Sequence, residues 1–148
     1  MAILAGPGPI QASHPEAAMA DAATIAARYL ASWNETDPER RRALLADLWT
    51  ETGTYADPLM RGTGPEEIDR LIAAVQDRFP GHRFVLAGRP DGFGAPAESF
   101  VRFSWALGPE GGASLVEGTD VALVQGGRLS RVIGFLDKSP LDKTPADP

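Results

Sequence analysis

The chain has 148 residues, 43% hydrophobic and 23% charged, which suits one domain with a sizeable core. It has no cysteine and only two histidines, so disulfides, thiolate zinc sites and cysteine nucleophiles are excluded and a histidine-rich metal site lacks ligands. A net charge of -6 argues against nucleic acid and anionic membranes as partners, and no apolar run is long enough to span a bilayer.

Residues 1–20 read as a flexible leader. Gly6, Pro7, Gly8 and Pro9 interrupt the one apolar start and no Lys or Arg precedes Arg28, so the leader lacks the marks of an export signal and the expected location is cytoplasmic. Asp21 is the expected cap of a first helix, with Ala22, Ile25, Ala26, Tyr29, Leu30 and Trp33 on one face and an end near Asn34. Asp37-Pro38 opens a second helix whose expected buried face is Leu44, Leu45, Leu48 and Trp49. Arg40, Arg41 and Arg42 read as its solvated side.

Thr54-Tyr55-Ala56-Asp57-Pro58 reads as a short strand stopped by proline. Arg61 to Gly64 reads as a loop. A third helix follows, with Glu66 and Glu67 in its first turn and Ile68, Leu71, Ile72, Val75 and Phe79 as its apolar stripe, ended by Pro80-Gly81. The glycines at its start are no phosphate loop, since they lack the spacing and the Lys-Ser/Thr that follows.

From His82 the period becomes alternating. Strands are expected over 83–89, 98–107, 113–124 and 129–137, with a loop over 90–97 and a tight turn at Gln125-Gly126-Gly127-Arg128. Val101, Phe103, Trp105 and Leu107 share one face, and Gly118 marks a bend or bulge. Residues 139–148 read as a loose tail. Helices followed by an antiparallel meander give an α+β domain over 21–138: three helices packed in a strongly curved, mostly antiparallel sheet, a cone with an internal pocket.

From the residues alone, three polar positions carry alternatives. Asp57 is an ordinary Asp-Pro turn or a pocket carboxylate. Tyr29 is a core aromatic or a hydroxyl donor on the cavity side. Asp120 shares its strand face with Val116, Ala122 and Val124, so it must be paired, hydrogen-bonded or protonated there. His82, after Pro-Gly at a helix end, reads as a surface or capping residue.

The layout over about 21–138 resembles the nuclear-transport-factor-2-like superfold, with its SnoaL-like polyketide cyclases and ketosteroid isomerases. The phrases that carry it are Arg28-Tyr29-Leu30 with Trp33-Asn34, Tyr55-Ala56-Asp57-Pro58, Gly62 before Glu67-Ile68, Gly118-Thr119-Asp120 and Gly134-Phe135-Leu136-Asp137. The ketosteroid isomerases place a tyrosine on the first helix, a base aspartate before proline and an acid aspartate on a late strand. The resemblance therefore implies Tyr29, Asp57 and Asp120 as catalytic candidates, without cofactor or metal. Trp33, Tyr55, Trp105 and Leu136 are the candidate ligand contacts. The implied partner is a small apolar carbonyl compound. The middle strand reads Arg102-Phe103-Ser104, and Gly134 sits where the limonene-epoxide-hydrolase branch of the superfold has its last acid, so that branch matches less well. Apolar residues on both sheet faces, with Leu115, Val121 and Leu123 opposite Asp120, imply a homodimer. The alternative is a binding or assembly module of the same fold that does no turnover.

Overall fold

The structure is a computed structural model that describes residues 15–140. The remaining parts of the expected leader and tail, 1–14 and 141–148, lie outside the described residues. The elements are α1 (Pro15–Asn34), α2 (Pro38–Leu48), β1 (Trp49–Ala56), β2 (Arg61–Thr63), α3 (Gly64–Arg78), β3 (His82–Leu86), β4 (Asp91–Gly94), β5 (Glu98–Pro109), β6 (Val116–Gln125) and β7 (Arg128–Lys138). Three helices pack into one curved, unclosed sheet, the α+β cone expected. Among the described residues no helix is long and apolar enough to cross a membrane.

The sheet order is β2-β1-β7-β6-β5-β3, and β4 extends the β3 edge along the other half of β5. All pairs are antiparallel except β1 with β7, which run parallel. β6 and β7 are joined by Gly126-Gly127 with φ of 58° and 85°, the two left-handed positions that a two-residue hairpin turn demands. The bulge expected at Gly118 is present, as a register shift between Glu117 and Gly118 against β7.

Several expectations need correction. α1 begins at Pro15, so Asp21 lies inside the helix and does not cap it. α2 ends at Leu48, and Trp49 is the first residue of β1, buried at its start. The run Trp49-Thr50 supplies two bulky residues suited to a strand, which outweighs the helical spacing. The buried face of α2 is Arg41, Leu45 and Leu48, one turn apart, while Leu44 is exposed. Arg41 is therefore no solvated residue. Its Nε meets Asp69 Oδ1 at 2.5 Å, and Nη1 donates to Glu35 O and Gln76 Oε1, both at 3.0 Å. Gln76 Nε2 in turn donates to Trp33 O and Glu35 O. This cluster ties the α1–α2 turn to α3. Arg61 to Thr63 is a strand that pairs with the end of β1, and the expected loop over 90–97 holds β4.

Three contacts set the helices over the concave face. Asp37 caps α2 by accepting from Arg40 N at 2.9 Å. Glu67 reaches back to Thr63 N at 2.7 Å at the start of α3. The Asn34 amide pairs with the free edge of β3, donating to Phe84 O at 2.9 Å and accepting from Phe84 N at 2.8 Å. That last pairing fixes the end of α1, and so the height of Tyr29 and Trp33 above the sheet.

Candidate functional site

Alternation does most of the positioning. On β5 the inward residues are Val101, Phe103, Trp105 and Leu107, and on β6 they are Val116, Asp120, Ala122 and Val124, as expected. The α1 stripe brings Tyr29 and Trp33 onto the same space. Proline after Asp57 ends β1 there and turns the chain toward β2.

A cavity of about 70 Å³ results, with Tyr29, Trp33, Tyr55, Asp57, Trp105, Asp120 and Leu136 all in its wall. Every residue singled out from the sequence thus lies at one cavity. Phe84, Phe79, Met60 and Leu59 also line it and were not anticipated. Phe84 was legible in principle: it is the residue of β3 that alternation turns inward between Arg83 and Val85. Met60 and Leu59 belong to the turn after Asp57, which has no period to read. Aromatic rings form a continuous wall, with centroids 5.6 Å apart for Trp33 and Tyr55, 5.5 Å for Trp33 and Phe84, and 5.3 Å for Phe84 and Trp105. Leu59 is exposed and Met60, Val75, Phe79 and Leu136 are half-buried, so the rim of the mouth is apolar.

Asp57 is both things the sequence left open. Its Oδ1 accepts from Leu59 N at 2.8 Å and Met60 N at 2.9 Å, which anchors the turn, and its Oδ2 accepts from the Tyr55 hydroxyl at 2.6 Å. Asp120 is 2% exposed and accepts from Trp105 Nε1 at 3.1 Å on Oδ1. The Tyr29 hydroxyl faces the Asp120 carboxyl and is aimed toward it, with the Tyr55 hydroxyl and Trp33 beside it. The two carboxyls are thereby separated by two phenols, in the order Asp120, Tyr29, Tyr55, Asp57, with Tyr55 donating to Asp57. Tyr55 thus holds Asp57 as well as forming part of the wall.

Burial raises the Asp120 carboxyl to about 6; the Trp105 and Tyr29 donors pull it down, and the charges of Asp57 and Asp137 push it up. The direction is the one its apolar neighbours imply. Two donors aimed at the carboxylate work against burial and hold the group on the acid side of neutral pH. Burial, then the charge at Asp120, lifts the Tyr29 phenol well above the ordinary tyrosine range. Burial, then Asp57, does the same for Tyr55. Both phenols are therefore donors at any working pH. Among the described residues no three His, Asp or Glu side chains cluster as a metal site requires.

The sequence model of the SnoaL-like domain matches residues 26–132. A candidate isomerase of the SnoaL-like family from Agrobacterium tumefaciens str. C58 is 48% identical, with 80% of this chain and 99% of that chain covered and a TM-score of 0.73. At the level of fold alone, a nuclear transport factor 2-like superfamily protein from Salmonella enterica is 15% identical, covering 91% of this chain and 99% of its own, with a TM-score of 0.66. A protein with a ketosteroid-isomerase-like fold from Catenulispora acidiphila, solved in complex with trimethylamine, is 18% identical, covering 74% of this chain and 82% of its own, with a TM-score of 0.55. No curated protein matches the chain. The chain belongs to the SnoaL-like family.

Proposed function

We propose that this protein is a cofactor-free proton-transfer enzyme, an isomerase or cyclase that works beside the carbonyl of a small, mostly apolar compound. The observation that carries the reading is the meeting of Asp57 and Asp120 in one aromatic cavity, with Tyr55 and Tyr29 between them. Asp57 takes a proton from the carbon next to the carbonyl. It returns that proton at another carbon in an isomerisation, or leaves the carbanion to attack a second carbonyl in a cyclisation. Asp57 Oδ1 is filled by two backbone donors, so Oδ2 is the oxygen for this transfer. Tyr29 and protonated Asp120 donate to the carbonyl oxygen as it becomes an enolate. Enolate charge arriving beside Asp120 favours its protonated form further, so the ligand draws out the donor that stabilises it.

Size narrows the substrate. At about 70 Å³ the cavity is small beside ligand pockets of about 300–1,000 Å³. A larger substrate extends past Leu59 and Met60 through the mouth. The test is α-proton exchange of small cyclic and open-chain ketones in D₂O, followed by proton NMR. Exchange by the wild type, lost in Asp57→Asn with binding of a phenol retained, is the expected result. Binding without exchange for every carbonyl compound tried favours the second reading, a non-catalytic pocket. The observation on that side is that the Asp57 carboxylate is already engaged by three donors, as a turn anchor would be. In both readings the protein works as a homodimer joined through the outer sheet face, where Phe93 stacks on Phe100 with ring centroids 5.1 Å apart and both Phe93 and Phe135 are exposed.

A further inference from the structure

Trp105 lines the cavity with its ring, but its polar edge is committed elsewhere, with Nε1 donating to Asp120 Oδ1 at 3.1 Å and both residues buried. Two glycines make that contact feasible. Trp105 faces Gly118 across the β5–β6 ladder, and a β carbon at 118 would stand 2.4 Å from Trp105 Cζ2 and 2.8 Å from Cε2. Asp120 faces Gly134 across the β6–β7 ladder, and a β carbon there would stand 2.8 Å from Asp120 Oδ1. Neither glycine has a positive φ. What both positions require is space. Oδ1 is thus enclosed, with the indole N–H as its donor and the bare α carbon of Gly134 beside it.

An indole N–H donates and never accepts. The carboxyl oxygen it contacts has no acceptor in that direction for a proton of its own. We propose that Trp105, seated in the slot left by Gly118, is a positioning residue that closes Asp120 Oδ1 and leaves Oδ2 as the one oxygen that carries the proton and meets the carbonyl end of a ligand. The second half of this statement rests on the proton-transfer reading of the cavity. The indole also opposes the effect of burial, because a neutral donor favours the carboxylate over the acid. It keeps the group switchable near neutrality where an apolar wall would lock it neutral. The other titratable groups facing Asp120 are Tyr29 from α1, Tyr55 and Asp57 from β1 and the turn after it, and Asp137 on β7; β5 brings only the neutral indole.

The experiment follows the Trp105 indole ¹⁵N–¹H resonance and the Asp120 carboxyl ¹³C resonance from pH 4 to 9. In the wild type both report one titration, and Asp120→Asn removes it from the indole. Trp49, buried with no partner at Nε1, supplies an indole that stays flat. Trp105→Phe moves the Asp120 midpoint up by about one pH unit, the order expected for losing a hydrogen bond to a charged group. Gly118→Ala displaces the ring and moves the midpoint the same way; if that variant does not fold, the wild-type indole titration and Trp105→Phe decide the matter. A flat wild-type indole resonance, or an unmoved midpoint in folded Trp105→Phe, overturns the proposal. None of these readouts needs a substrate. Absence of turnover therefore removes the enzyme reading and leaves the Trp105–Asp120 coupling standing, while flat titrations in an active protein do the reverse.

Discussion

Gly134 and Asp120 face each other across the last two strands, and the missing side chain of the first is the room occupied by the carboxyl of the second. A β carbon at 134 would also lie 3.5 Å from Asp57 Cβ, so the same gap separates the two acids. Gly134→Ala is expected to push Asp120 off its rotamer. Phenol affinity should fall by about tenfold, with about 1–3 kcal/mol lost in urea unfolding, the usual cost of overpacking. Unchanged affinity would show that the carboxyl has somewhere else to go.

Asp120 also sets a pH dependence of stability. Its folded pKa, about 6, lies above the ordinary value near 4 of the unfolded chain, so the native state binds this proton more tightly. Its contribution to stability is full below about pH 4, declines as pH rises to about 6, and above that is a constant cost of about 2–3 kcal/mol. Asp120→Asn should therefore gain stability over wild type at pH 7 relative to pH 4. Melting curves at the two pH values check this, and a gain that does not change with pH would refute it.

Activity should carry the opposite test of roles. With Asp57 as base and protonated Asp120 as donor, kcat/KM falls as pH rises through about 6. A rate that instead rises through the same midpoint hands the base role to Asp120. Asp120→Asn keeps a donor and should be mild, Asp120→Ala should cost a few kcal/mol of barrier, about 2–4, and Tyr29→Phe should weaken binding of an enolate mimic.

Arg41 is 4% exposed, and its charge meets Asp69 behind the α2–α3 contact. Arg41→Ala leaves Asp69 and the Gln76 amide without that partner, and about 3 kcal/mol of stability should go with it. Arg42→Ala, at an exposed site on the same helix, should stay within about 0.5 kcal/mol. Urea unfolding of the two variants side by side is the measurement.

Association is tested at the outer face. Phe135 is 55% exposed in the single chain. Phe135→Glu should turn a dimer seen by light scattering at micromolar concentration into a monomer without loss of helix signal. A wild-type monomer at that concentration would contradict the proposed pairing.

How much of this was legible follows from where regular periods exist. Tyr29 and Trp33 were readable because a helical stripe runs through them, and Asp120 because β6 alternates around it. The Asp57 turn was visible as Asp-Pro. Arg41 was misread because three arginines in a row look alike in sequence, and only the partner on α3, far along the chain, makes the middle one buried. The short strands β2 and β4 were read as loops, since each is too short to show an alternation and glycine interrupts both. The indole of Trp105 was expected to face a ligand; its hydrogen bond to Asp120 depends on cross-strand register, which alternation alone does not specify.

The parallel pairing of β1 with β7, through Thr54 with Arg131, Tyr55 with Val132 and Ala56 with Ile133, has a further meaning for how the protein is made. During synthesis β1 leaves the ribosome early, yet one of its two edges stays open until the final strand emerges. Such distant pairing is slow to find and leaves an exposed edge in the interval. The seam that brings Asp57 alongside Gly134 is therefore the last to close. Until β7 is in place the wall that carries Gly134 is missing from beside Asp57, so the cavity is complete only after this long-range pairing has formed.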